Sequence, residues 1–146
     1  MSVRFVIEWT LRLIVGLCFV WAASAKLLDP VAFLSAVESY QVVEAETARW
    51  VALILPWLEL WAGIGLALPW LRWASGWILG LLLLGFMVLH SSAWWRGLDV
   101  DCGCFGTLDG GSTYAYLLVR NGMLLLGVAV LICMEMDGRG KKRVER

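Results

Sequence analysis

Two cysteines, Cys102 and Cys104, stand one residue apart in the run Asp101-Cys102-Gly103-Cys104-Phe105-Gly106. A thiol pair at this spacing is either a reversible disulfide or half of a metal site. Oxidation closes a very small ring, and strain makes a disulfide easier to reduce. Gly103 relieves part of the backbone cost because glycine adopts positive φ. A strained, accessible disulfide suits thiol exchange better than bracing; the plain alternative is a structural disulfide or two idle thiols. Zinc sites need four ligands, usually at wider spacing. His90 is the only histidine and the chain has no second cysteine pair, so no metal is assigned, although a site shared between subunits stays open. Cys104 is the better attacker of the two. Phe105-Gly106-Thr107 leads towards the last apolar segment, whose helix N-terminus favours a thiolate, while Asp101 beside Cys102 disfavours one.

A second set of candidates lies inside or at the edges of apolar segments: Glu8, Arg12, Glu59, His90 and Arg120. Ionisable groups are expensive in hydrocarbon and normally face a bundle interior or pair with one another. Glu8 and Arg12 are four apart and share a helix face. Glu59 sits near the middle of its segment, and Arg12 or Arg120 is its expected counter-ion. Such a pair is either structural or, together with His90, part of a proton relay or a polar pocket for a cofactor head group. His90 falls on the cysteine side of the third segment, where an imidazole can supply or accept a proton; an incidental interfacial histidine is the alternative. Cys18 and Cys133 lie within the first and fourth segments and read as inert packing residues.

The elements that must position these residues are apolar. The chain has 146 residues, 61% hydrophobic and only 16% charged, with balanced formal charge; a soluble domain carries about a quarter charged residues. No basic patch carries a recognition motif, so nucleic acid is not a partner. Four segments approach the roughly 20 residues that a membrane-spanning helix needs: about 5–25, 50–68, 71–94 and 114–134. Backbone groups in lipid must be satisfied internally, so each is expected to be helical. The expected fold is all-α, a polytopic four-transmembrane-helix bundle forming one domain over 1–146. Pro69 makes the second and third spans a tight hairpin. Gly63, Gly65, Gly76, Gly80, Gly122 and Gly127 are expected to let helices approach closely.

Between the first two spans, Val31, Leu34, Val37 and Val42 recur at helical spacing among Glu38, Glu44 and Glu46, and Asp29-Pro30 is a helix-start signal. A short amphipathic helix on the membrane surface is expected there. Arg4 and Arg12 before a run ending in Ala23-Ser24-Ala25 look like a signal peptide; the segment is read instead as a retained anchor. The basic tail, 138–146, lies with Arg4 and Arg72 on one side. Lys26, Arg49 and Arg96 occupy the opposite loops. The positive-inside bias then puts both termini in the cytoplasm and the Cys102/Cys104 loop outside, where disulfides persist.

Lys26-Leu27-Leu28-Asp29-Pro30 followed by Phe33 and Tyr40 resembles the signature after the first helix of DoxX-type membrane proteins. The cysteine motif before the last helix resembles the MauE branch. The resemblance covers essentially the whole chain. It implies a four-helix inner-membrane protein tied to redox metabolism, working with a periplasmic thioredoxin-like partner; DoxX relatives are linked to thiosulfate–quinone oxidoreduction. The reading that follows is a membrane thiol–disulfide redox protein passing electrons through Cys102 and Cys104. A membrane quinone is the natural sink or source, because the bundle sits in the quinone's solvent, although no quinone motif is present. The competing reading is a non-enzymatic anchor or accessory subunit with a structural disulfide. The sequence sets neither the direction of electron flow nor an oligomeric state.

Overall fold

The computed structural model describes the backbone of residues 3–98 and 114–144 and the side chains of 3–98 and 115–137. Cys102 and Cys104 lie outside the described residues. The described chain is helical, with no strand among its residues: α1 (Val3–Leu28), α2 (Pro30–Ser39), α3 (Ala45–Gly65), α4 (Arg72–Trp95) and α5 (Tyr114–Val144). Among the described residues, three helices are long and apolar enough to cross a membrane: α1, α4 and the Ala115–Asp137 part of α5. The other long helix, α3, has 21 residues, and Arg49, Pro56 and Glu59 interrupt its apolar run. It begins five residues before the expected start of the second segment. The last helix extends well past 134 because nothing in Glu135–Val144 breaks it: the two glycines there weaken a helix without forbidding it.

Local chemistry explains the helix ends. Asp29 caps α2 by accepting from the Ala32 amide at 3.0 Å, and Pro30 occupies the first turn, where no amide hydrogen is required. α4 ends at Trp95 with Arg96 as its cap, and Gly97 follows with a left-handed φ of 65°. There Gly97 N–H donates to Trp94 O and Leu98 N–H to Ala93 O, each at 3.1 Å. That is a Schellman closure, which glycine makes without steric cost. A short turn containing Pro69 joins α3 to α4, as the sequence predicts.

α1 packs on α3 and α5, α4 on α5 and α3, and α2 on α3 and α1. Val15, Phe19, Ala62, Leu66, Leu79, Leu83 and Val128 form the core. Glycines set the helix spacing. A Cβ on Gly16 would lie 2.9 Å from the Gly63 carbonyl oxygen, and one on Gly76 would lie 3.3 Å from Ile132. Gly122, expected to be a packing position, faces nothing within 4 Å. The outer surface is strongly apolar: Leu17, Trp21, Leu53, Trp61, Leu81, Val88 and Leu126 are all exposed. For a chain with spanning helices, this is the face that lipid covers.

The bundle has two chemically distinct ends. At the end holding the chain's N-terminal turn, Arg12 is buried and bonds Glu8 and Glu135, the latter at 3.1 Å. Arg72 lies 3.7 Å from Glu135 and 3.9 Å from Glu8, and Arg4 pairs with Asp137 at 3.3 Å. The expected sharing of one face by Glu8 and Arg12 is present. The opposite end gathers Lys26, Tyr40, His90 and Arg96.

Candidate functional site

The site is built on the inward stripe of α1. Arg12, Val15, Gly16, Phe19, Ala22, Ala23 and Lys26 are its buried residues, recurring every three or four positions as one helix face requires. Lys26 therefore belongs to the core face and not to an outer loop; it is 2% exposed. Its Nζ donates to both carboxylate oxygens of Glu59, at 2.6 and 2.5 Å, and Glu59 is 1% exposed. The sequence predicts a pairing of Glu59 with Arg12 or Arg120; the Glu59 carboxylate is joined to Lys26, and Arg12 is engaged at the far end of the bundle.

The cause is geometric. α1 and α3 run antiparallel, with Gly16 opposite Gly63. Helical side chains lean towards their own N-terminus. Lys26 therefore reaches down into the bundle while Glu59 reaches up, and the two long side chains meet between levels. Arg12 is held at the far end by Glu8 and Glu135.

The rings of Phe33 and Phe86 flank the Lys26 ammonium, with centroids 5.3 and 5.2 Å away. Each is within cation–π range. Glu59 takes two of the three Nζ hydrogens, which leaves Lys26 one further donor.

His90 sits on α4 at 1% exposure. Its Nδ1 lies 2.5 Å from the Phe86 carbonyl, which can only accept. Nδ1 therefore carries the hydrogen, and in the neutral ring Nε2 is the acceptor. The Tyr40 hydroxyl then donates to Nε2, at 3.4 Å, with the rings edge-on. Tyr40 is itself fixed from α4. Arg96 Nη2 donates to the Tyr40 carbonyl at 2.5 Å and Nη1 to the Gln41 carbonyl at 3.4 Å. Gln41 has a φ of 51°, a region non-glycine residues rarely occupy. The Arg96 clamp holds that turn in place.

Two cavities meet at Lys26 and Phe86. The larger, about 150 Å³, is walled by Phe33, Val37, Val42, Val43, Val51, Leu55, Phe86 and Leu89, with Lys26, Tyr40 and His90 as its polar members. The smaller, about 30 Å³, is bounded by Cys18, Lys26, Glu59, Arg120 and Asn121 among others. That is room for one or two waters, each needing ≳10–15 Å³. Asn121 Nδ2 is buried there with no hydrogen-bond partner among the described residues. A small cavity edged by charged and amide side chains thus adjoins a larger apolar one, and Lys26 of the buried ion pair stands at their boundary.

Of the residues singled out from the sequence, Glu59, His90 and Arg120 come together around these cavities, and Arg12 does not. Cys18, read as inert packing, borders the smaller cavity. Sequence reasoning missed Lys26, Tyr40 and Arg96 as site residues. For Lys26 the signal was present, since it continues the helical stripe from Val15 and Phe19. α2 turns Phe33, Ala36 and Tyr40 inward, while Val31, expected on its apolar stripe, is exposed. No group of three metal-ligating side chains occurs among the described residues.

Comparison with known proteins adds the family signal. The family model described as "Methylamine utilisation protein MauE" matches residues 4–134. The methylamine utilization protein MauE of Paracoccus denitrificans is 32% identical over 125 residues, covering 85% of this chain and 67% of the relative. That of Methylophilus methylotrophus is 29% identical over 130 residues, covering 86% and 68%. No solved structure matches.

Proposed function

The chain belongs to the MauE family, and from that premise we propose that it is a membrane thiol–disulfide oxidoreductase acting in methylamine utilisation. Cys102 and Cys104 pass electrons between a periplasmic thioredoxin-like partner and a membrane quinone. One observation carries this reading. Lys26, His90 and the larger cavity lie towards the end of the bundle where the described chain stops after α4 at Leu98 and resumes at Tyr114, the two residues that bracket the cysteines. A redox pair needs a neighbouring place to pass on electrons and protons, and a cavity with titratable side chains at this end supports that reading.

In the oxidising direction, a partner thiolate attacks the Cys102–Cys104 disulfide and a mixed disulfide forms. The partner's second thiol breaks it, leaving the partner oxidised and both cysteines reduced. The dithiol then gives two electrons and two protons to the quinone, which becomes a quinol, and the Cys102–Cys104 bond re-forms. Run backwards, the same steps reduce the partner. His90, Glu59 and Arg120 serve as the proton relay and polar surroundings; Arg12 serves the bundle's far end.

The membrane arrangement belongs to the same proposal. α3 is the fourth span, because Leu53, Ile54, Trp57 and Trp61 present an apolar outer face like those of α1 and α4. α2 lies at the interface. Arg4, Arg72 and the basic tail put both termini in the cytoplasm of an inner-membrane protein.

The test is thiol trapping in intact cells and at defined redox potentials with a membrane-impermeant maleimide. Cys102 and Cys104 should label from outside after reduction and should cycle with potential. Each single serine variant should stop turnover, and Cys102→Ser, which keeps the attacker, should trap the mixed disulfide. A pair that stays oxidised at every physiological potential, with both serine variants fully active, refutes the relay and leaves the accessory-subunit reading.

A further inference from the structure

We propose that the larger cavity is the quinone site: a single quinone ring enters it, one carbonyl accepting the third N–H of Lys26, and the tail leaves over Val42 and Val43 into the bilayer. The proposal rests on the relay reading for its role, and on the cavity itself for its ligand.

Three observations select this occupant. The first is size. A cavity of about 150 Å³ holds one six-membered ring, as apolar cavities of ~150 Å³ in other proteins hold benzene. The second is chemistry. Its walls are almost wholly apolar, yet a charged ammonium that is 2% exposed borders it with a donor beyond the two that Glu59 uses. A quinone carbonyl accepts from that donor, whereas a lipid acyl chain offers it no acceptor beyond the Phe33 and Phe86 rings that already flank it. The third is access. Val42 and Val43, which line the cavity, are 51% and 41% exposed, so the cavity opens to the outside of the bundle at the α2–α3 connection.

The site also provides for protons. Reducing a quinone to a quinol takes two electrons from the cysteine dithiol and two protons. The Tyr40–His90 pair borders the cavity, and Lys26, which also borders it, carries the contact on to Glu59 in the smaller cavity. Behind Lys26, the smaller cavity, edged by Glu59, Arg120 and Asn121, extends away from the ring.

The experiment measures binding directly, apart from turnover. Full-length protein in lipid nanodiscs is titrated calorimetrically with short-chain ubiquinone and menaquinone analogues. Wild type and the Cys102→Ser/Cys104→Ser variant should bind at least one analogue with equal affinity. Val37→Phe fills the cavity from α2 and should weaken binding by about tenfold or more, since added bulk in a filled space costs at least a kilocalorie or so. An azidoquinone should label wild-type peptides from α2 and α4, a result that does not depend on any variant folding. Equal affinity in Val37→Phe, no binding in either cysteine form, or labelling confined to α5, which does not line the cavity, overturns the site. Binding that persists while the cysteines fail to cycle refutes the relay and leaves the site standing, so the two failures are distinguishable.

Discussion

Replacing Lys26 by Met should destabilise the protein far more than replacing Lys26 and Glu59 together. The two groups are 2% and 1% exposed and joined by contacts of 2.5 and 2.6 Å. Removing the ammonium strands a carboxylate in a low-dielectric interior, which costs about 3–5 kcal/mol. The ammonium's contacts with the Phe33 and Phe86 rings contribute about 0.5–2 kcal/mol each, and both variants lose these. Lys26→Met/Glu59→Leu removes both charges, and such replacements by apolar residues are often neutral or better. The single variants should each lose about 3–5 kcal/mol, and the double variant less than either. The coupling should exceed the ~0.6 kcal/mol average for polar contacts in membrane helices, because this contact joins full charges. The assay is reversible unfolding from lipid bicelles by added SDS, followed by helical circular dichroism and tryptophan fluorescence. Additive losses across the cycle would refute the pairing, since additivity means the residues do not interact.

Two further tests probe the frame around the site. Gly16→Ala should lose about 1–3 kcal/mol of stability, because its new Cβ meets the Gly63 carbonyl oxygen at 2.9 Å and backbone must shift. Gly122→Ala, which meets nothing within 4 Å, should be neutral or gain up to ~1 kcal/mol from helix propensity in the same unfolding assay. Arg12→Met leaves the Glu8 and Glu135 carboxylates together in a partly buried cluster. The loss should fall near the lower end of about 3–5 kcal/mol, since Arg72 stands 3.7 and 3.9 Å from them. Quinone binding should be unchanged in Arg12→Met, because that cluster sits at the other end of the bundle.

Much of the helix pattern is legible from local chemistry alone. Asp29-Pro30 starts α2, Pro69 marks the turn before α4, and the spacing of Glu8 and Arg12 puts them on one face. Each is an interaction within a few residues, where spacing and geometry are the same statement. The apolar segments likewise announce helices, because a long uncharged run in lipid has few other ways to satisfy its backbone. The family could also be recognised from the chain, and the match over residues 4–134 agrees.

Tertiary structure decided which charges meet. Lys26 and Glu59 are 33 positions apart, and composition offered Arg12 and Arg120 as equally good cations. The antiparallel crossing of α1 and α3 at Gly16 and Gly63, with side chains leaning towards opposite ends, selected Lys26. The same holds for α2, whose apolar residues spread around the helix. Only packing against α1 and α3 showed that Phe33, Ala36 and Tyr40 face inward and Val31 does not. A sequence states which residues share a helix face; the relative depth and crossing of two helices state which of them touch, and the Lys26–Glu59 site exists only at that second level.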